Sequence, residues 1–134
     1  MLEFADLNWW AILAATALGF ALGGLWYGPL FGSAWLAAMG KQAEELEPSP
    51  TPFVVSFFTA LLTAMVLAAL IGALGVTDWF GGLLLGLITG LGFIATAMAS
   101  DTAFCGWGIK LFVIQAGYRV AYSVLMGAVL GAWQ

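Results

Sequence analysis

Four stretches of the chain run almost without charged side chains and are separated by short polar or charged segments: Asn8–Tyr27, Phe53–Leu74, Trp79–Ser100 and Ile109–Trp133. A bilayer core of roughly 30 Å takes about 20 apolar residues of helix, and each stretch meets that length. In lipid only helices and closed barrels satisfy their own backbone polar groups, and the ~10-residue alternation of barrel strands is absent. The pattern therefore predicts an all-α membrane protein of four transmembrane helices, with spans at about 8–27, 53–74, 79–100 and 109–133 in a single domain over residues 1–134.

The first span gives way to WYGPLFG at residues 26–32. Trp26 and Tyr27 suit the headgroup level, where amphipathic rings anchor a helix end; Gly28 permits an unusual turn, and Pro29 can open a new helix at its first position. The following LFGSAWLAAMG is apolar but too short to span, and it yields to the polar KQAEELEPSPTP. These residues predict a short helix at about 30–39, lying in the membrane interface and ending at Gly40, with Trp26, Tyr27, Pro29 and Trp35 as interface anchors. The alternative is a first helix that continues through a proline kink, which neighbouring helices can accommodate.

Lipid is as apolar as leucine, so helices in a membrane associate through close packing, which small residues permit. The second span carries Ser56, Ala60, Ala64, Ala68 and Gly72 at four-residue spacing, and the third carries Gly82, Gly86 and Gly90. Gly19 with Gly23, Gly24 with Gly28, and Gly127 with Gly131 add shorter pairs. These stripes either meet inside one four-helix bundle or leave one of their number to join a second copy. Leu18-Gly19-Phe20 recurs as Leu91-Gly92-Phe93, a faint hint of two similar hairpins.

Composition agrees with the spans: 63% of the residues are hydrophobic and 7% charged, too apolar for a water-soluble surface. A net charge of −4 with three basic residues lacks the positive footprint that nucleic-acid binding needs. Glu3 and Asp6 stand where a signal peptide would be positive, so the first span reads as retained. Lys41 and Lys110 fall in the first and third loops, which favours cytoplasmic loops there and both termini on the other side. The tryptophans sort the same way, Trp9, Trp10, Trp79 and Trp133 at one end and Trp26, Trp35 and Trp107 at the other.

The chemistry on offer is narrow. With no histidine, one cysteine and no carboxylate inside a span, the chain has no zinc cluster, no imidazole base or haem ligand and no proton-relay pair. No catalytic residue, metal or cofactor is expected. Asp101, Cys105 and Lys110 share the segment SDTAFCGWGIK, read as an interfacial loop closed by an Asp101–Lys110 ion pair, with a reactive Cys105 thiolate as the lesser reading.

Arg119 is different. At about 1.5 Å per residue it lies roughly 13 Å inward of Lys110, where an unpaired charge is costly and must face protein or water. Gln115, Tyr118, Arg119, Tyr122 and Ser123 share one helical face, with Thr59, Thr63, Thr89, Thr96 and backbone carbonyls as candidate partners. Arg119, Gln115, Tyr118 and Tyr122 form either a site for an anionic or polar ligand or a structural contact that fixes register.

The stretches NWWAILAATALGFALGGLWYGPLFGSAW, LGFIATAM and IKLFVIQAGYRVAYSVLMGAVLGAW resemble a family of small bacterial four-helix membrane proteins catalogued as a domain of unknown function. The motifs WYGPLFG and AGYxxxxxxxMGAxLG carry the likeness. The resemblance implies architecture and a bacterial inner membrane; members often have histidine at the position of Arg119, so it assigns that residue no role. The leading expectation is a non-enzymatic, homo-oligomeric structural or accessory protein, free or in a larger membrane complex. The alternative is a small transporter or channel lined by the fourth helix. An enzyme acting on lipid would have to rely on Cys105 or the tyrosines alone.

Overall fold

The computed structural model describes residues 2–42 and 49–133, and these are mostly helical with no strand among them. Helix α1, Trp9–Leu25, runs on into a π-helical turn, Trp26–Leu30. A short helix α2, Gly32–Met39, follows, then α3, Thr51–Leu74. Helix α4, Trp79–Thr89, passes through a π-helical segment, Gly90–Ala95, into α5, Thr96–Cys105; α6 is Ile109–Ala132. Four continuous helical runs, Trp9–Leu30, Thr51–Leu74, Trp79–Cys105 and Ile109–Ala132, are long and apolar enough to cross a bilayer. The protein is thus an all-α membrane protein of four spans with a short helix after the first. The polar centre of the first loop, residues 43–48 and with it Pro48, lies outside the described residues.

Local chemistry explains the boundaries. Asn8 caps α1 by accepting from Ala11 N–H, and Asp78 caps α4 by accepting from Gly81 N–H. Pro52 sits in the first turn of α3, where its missing N–H costs nothing. Gly40, Gly75 and Gly106 end α2, α3 and α5 with φ of 70°, 69° and 72°, a left-handed conformation that only glycine adopts freely. Asn8 also donates from Nδ2 to the Trp133 carbonyl at 3.1 Å, which ties the start of α1 to the end of α6.

Three expectations need correction. Pro29 does not open the second helix: it lies inside the π-helical turn that closes the first. The Phe31 N–H reaches the Trp26 carbonyl at 2.8 Å across this wider turn, which eases the clash of a proline ring with the preceding turn. The corner comes at Phe31, with φ −127° and ψ 10°, and the glycine it requires is Gly32, whose Cβ would meet the Tyr27 carbonyl at 2.7 Å. Gly28 has helical φ and open space beside it. Secondly, SDTAFC is helix: α5 carries Asp101 on its surface, and no Asp101–Lys110 ion pair forms between these exposed side chains. Thirdly, the repeated tripeptide is not equivalent in space, since Gly19 packs against Met126 whereas Gly92 has no neighbour within 4 Å.

Packing is dominated by α4 against α6. A Cβ at Gly82 would strike the Gly127 carbonyl, one at Gly86 the Ser123 carbonyl, and one at Gly131 the Asp78 carbonyl, so these helices touch backbone to backbone. In the ladder of α3, Ala60 and Ala64 are buried in one cluster with Ala11, Ile12 and Ala15 of α1, whereas Gly72, expected to pack, has open space beside it. Ile12, Thr16, Ile71 and Met126 are fully buried within the bundle, and Ser123 is buried where α6 meets α4. Helices α3 and α4 scarcely meet, which leaves a cleft between them. Replacing Gly86 by Leu should separate α4 from α6 at a cost of at least about 1–3 kcal/mol. Gly92→Ala, with nothing to meet, should be neutral or slightly stabilising. Thermal melts of both variants in one detergent check the contrast, and equal melts would mean that the helices do not touch here.

Candidate functional site

Helix α6 places the site. Arg119 lies seven residues before the fully buried Met126, two helical turns along the same face, so it points toward the middle of the bundle. Yet Arg119 and Gln115 are only partly buried. The flanking tyrosines are fastened to other helices. Tyr118 donates its hydroxyl to the Gly19 carbonyl of α1 at 2.9 Å, and only a glycine at position 23 leaves room, since a Cβ there would lie 2.8 Å from Tyr118 Oη. Tyr122 Oη is 3.1 Å from Thr63 Oγ1 of α3. Thr63 already donates its one hydroxyl proton to the Thr59 carbonyl, so Tyr122 donates to Thr63.

The guanidinium of Arg119 lies beside both rings, which touch each other at 5.2 Å, its Cζ 5.2 Å from the Tyr118 ring centre and 5.3 Å from that of Tyr122. Tyr27, from the π-helical turn, meets Tyr118 edge to face at 5.4 Å and is within electrostatic reach of Arg119. All three tyrosines of the chain thus gather round its one arginine. Trp26 closes the wall: its Nε1 donates to the Ile114 carbonyl at 2.9 Å, and a Cβ at Gly117 would lie 3.2 Å from its ring. Trp35 of α2 packs edge-on to Tyr27 at 5.0 Å, and its buried Nε1 has no hydrogen-bond partner. Trp26, Tyr27 and Trp35, read from sequence as interface anchors, here turn inward onto the α6 side of the bundle. Their contribution to the site was missed because an aromatic cluster at a span end carries the same pattern in either role.

The expected partners of Arg119 are engaged elsewhere. Thr59, Thr63, Thr89 and Thr96 donate to carbonyls of their own helices, those of Ser56, Thr59, Leu85 and Gly92. Among the described residues the arginine side chain has no ion pair and no hydrogen bond; the aromatic rings are its contacts. A cation–π contact contributes about 0.5–2 kcal/mol and leaves the five N–H donors of the guanidinium without acceptors. A hydrogen bond from such a charged donor is worth about 1.5–3 kcal/mol, so an oxyanion or ordered water completes this site far better than the rings alone.

Two cavities lie elsewhere in the bundle, and Arg119 lines neither. A cleft of about 290 Å³ lies between α3 and the π-helical segment after α4, with Thr63 on its wall. A larger one of about 490 Å³ opens at the opposite end of the bundle beside Glu3, Asp6, Asn8 and Trp133. The buried Ile12, Thr16 and Met126 lie between that end and Arg119. Among the described residues no cluster of acidic, cysteine or histidine side chains could hold a metal ion.

Over residues 10–131 the chain matches the family described as Protein of unknown function (DUF1761). The chain belongs to that family. No curated protein and no solved structure matches it. In this member of the family the segment AGYRVAYSVLMGAVLG is packed on three sides. Gly117 receives Trp26, Tyr118 reaches α1, Met126 fills the core, and Gly127 and Gly131 meet α4.

Tyr118→Phe should lower stability by about 0.5–1.5 kcal/mol through the lost bond to the Gly19 carbonyl. Tyr122→Phe and Thr63→Val should be non-additive, each breaking the same bond. Denaturation of the single and double variants in detergent measures both; strict additivity would show that Tyr122 and Thr63 do not interact.

Proposed function

We propose that this protein is a non-enzymatic bacterial inner-membrane protein that holds an anionic or polar ligand at Arg119, in the manner of a small transporter. What carries the reading is an arginine that faces the bundle, lies over two fixed tyrosine rings, and has no carboxylate or hydrogen-bond partner among the described residues. Met126, on the same face, is fully buried while Arg119 and Gln115 are partly exposed, which suits a binding site reached from one side. Gln115, one turn before Arg119, adds an amide to it.

A homo-oligomeric structural or accessory role, alone or within a larger membrane complex, is the second reading. The longest glycine ladder no longer speaks for it, because α6 occupies that ladder within the chain. What favours it is the exposed line Ala17, Ala21, Gly24 and Gly28 on α1, beside whose glycines there is open space. The proposed orientation places both termini in the periplasm, supported by Lys41 and Lys110 at the end of the bundle where α1 finishes and α6 begins.

Native mass spectrometry of protein released from its own membrane tests the assignment. Wild type should retain a ligand whose occupancy falls at least about tenfold, ~1.4 kcal/mol, in Arg119→Gln while the subunit number is unchanged. Equal occupancy in both would refute the site, and an assembly that falls apart in the variant without any ligand would favour the accessory role. The orientation has its own probe in Cys105, exposed at the end of α5. A membrane-impermeant maleimide should label it only after the inner membrane is broken; labelling in intact spheroplasts would reverse the topology.

A further inference from the structure

The cleft beside Thr63 differs from the Arg119 site in chemistry and is linked to it through one hydrogen bond, Thr63 to Tyr122. Its wall is made by Leu62, Val66, Leu67, Leu70, Phe93 and Ile94 with Thr63 and Thr89. Both threonines donate their hydroxyls to carbonyls of their own helices, so they offer no free donor to the cleft. Its rim faces outward, with Leu62 60% and Phe93 75% exposed. A space of this kind takes hydrocarbon from the surrounding bilayer rather than an ion from water. Thr63 is also the acceptor of Tyr122, on whose ring the Arg119 guanidinium lies, so an apolar cleft and an unpaired cation are one hydrogen bond and one ring apart.

We propose that the two form a single seat for an anionic bilayer phospholipid, with its phosphate on Arg119 and one acyl chain in the α3–α4 cleft. The inference rests on the reading of Arg119 as a ligand-binding residue and names that ligand's class. Charge complementarity selects the head: a guanidinium fork matches a phosphate oxygen pair. No acidic side chain among the described residues stands beside Arg119 to receive a headgroup amine, which favours an anionic over a zwitterionic lipid. From Thr63 the cleft runs along α3 toward Leu70, away from the end that carries Lys41 and Lys110, so the head at Arg119 points to the lysine side and the seated lipid is drawn below the level of the surrounding headgroups. The half-open rim leaves the second acyl chain in the bilayer.

The test uses the full chain in nanodiscs of equal phosphatidylglycerol and phosphatidylcholine, with retained lipid counted by native mass spectrometry. Wild type should keep one phosphatidylglycerol at least about tenfold over phosphatidylcholine. Arg119→Gln should abolish the preference, and Val66→Trp or Leu62→Trp, which fill the cleft from its exposed rim, should lower retention about tenfold. Leu13→Trp, on an exposed face of α1 outside the cleft, should change nothing. Melting curves confirm that each variant is folded. Retention without headgroup preference, or retention unaffected by both cleft variants, overturns the lipid seat. Inorganic phosphate separates the two layers of the reading, followed by tryptophan fluorescence in detergent. Phosphate binding that is lost in Arg119→Gln but kept in Val66→Trp, with no lipid selectivity, would leave the Arg119 anion site standing and remove the lipid. Failure of both phosphate and lipid to respond to Arg119→Gln would remove both.

Discussion

Where two helices meet without side chains between them, the position of everything else follows. Helices α4 and α6 approach until the backbone of Gly82 faces that of Gly127 and the backbone of Gly86 faces Ser123. In lipid there is no hydrophobic gain from bringing helices together, so this contact draws on dispersion between many close atoms. It is also unforgiving, because even one Cβ at these positions strikes a carbonyl oxygen. The close pairing makes α6 the spine of the molecule, packed against α1, α3 and α4, while α3 and α4 are left almost without contact.

A spine with three neighbours has few lipid-facing positions, and that is why it can carry polar residues. Tyr118 and Tyr122 bury their rings and place each hydroxyl on an acceptor in a neighbouring helix, which satisfies the polar tip at membrane depth. The π-helical turn at Trp26–Leu30 brings Trp26 and Tyr27 onto the first half of α6, and the π-helical segment at Gly90–Ala95 passes α6 near Val120. Both irregular segments therefore stand at the level of Arg119. Such segments recur at functional sites because the extra residue re-aims side chains that a regular helix would turn elsewhere.

The sequence showed the spans well because bilayer thickness sets the length of an apolar helix, and it showed the caps because Asn8, Asp78 and the glycines at 40, 75 and 106 act within a turn of where they stand. It also showed that Arg119 shares a face with Gln115, Tyr118 and Tyr122, a matter of helical spacing alone. What it hid was tertiary. The turn that holds Pro29 also carries Trp26 to the Ile114 carbonyl, a contact 88 residues away along the chain. Whether the threonines answer Arg119 or their own helices depends on distances between helices. Tyr27 and Trp35 joined the site only once α2 folded back along α6, and the α3–α4 cleft has no signature in either helix by itself.

On the proposed reading, α6 turns a polar face toward a space that water or a polar ligand can enter from the side of Lys110, with lipid on its other face. Cysteine accessibility tests this directly. In a Cys105→Ser background, Gln115→Cys should react with a charged methanethiosulfonate in membranes, while Val113→Cys on the exposed outer face of α6 and Met126→Cys in the core should not. A protected Gln115→Cys beside a reactive Val113→Cys would mean that α6 is turned the other way and that Arg119 does not face the bundle.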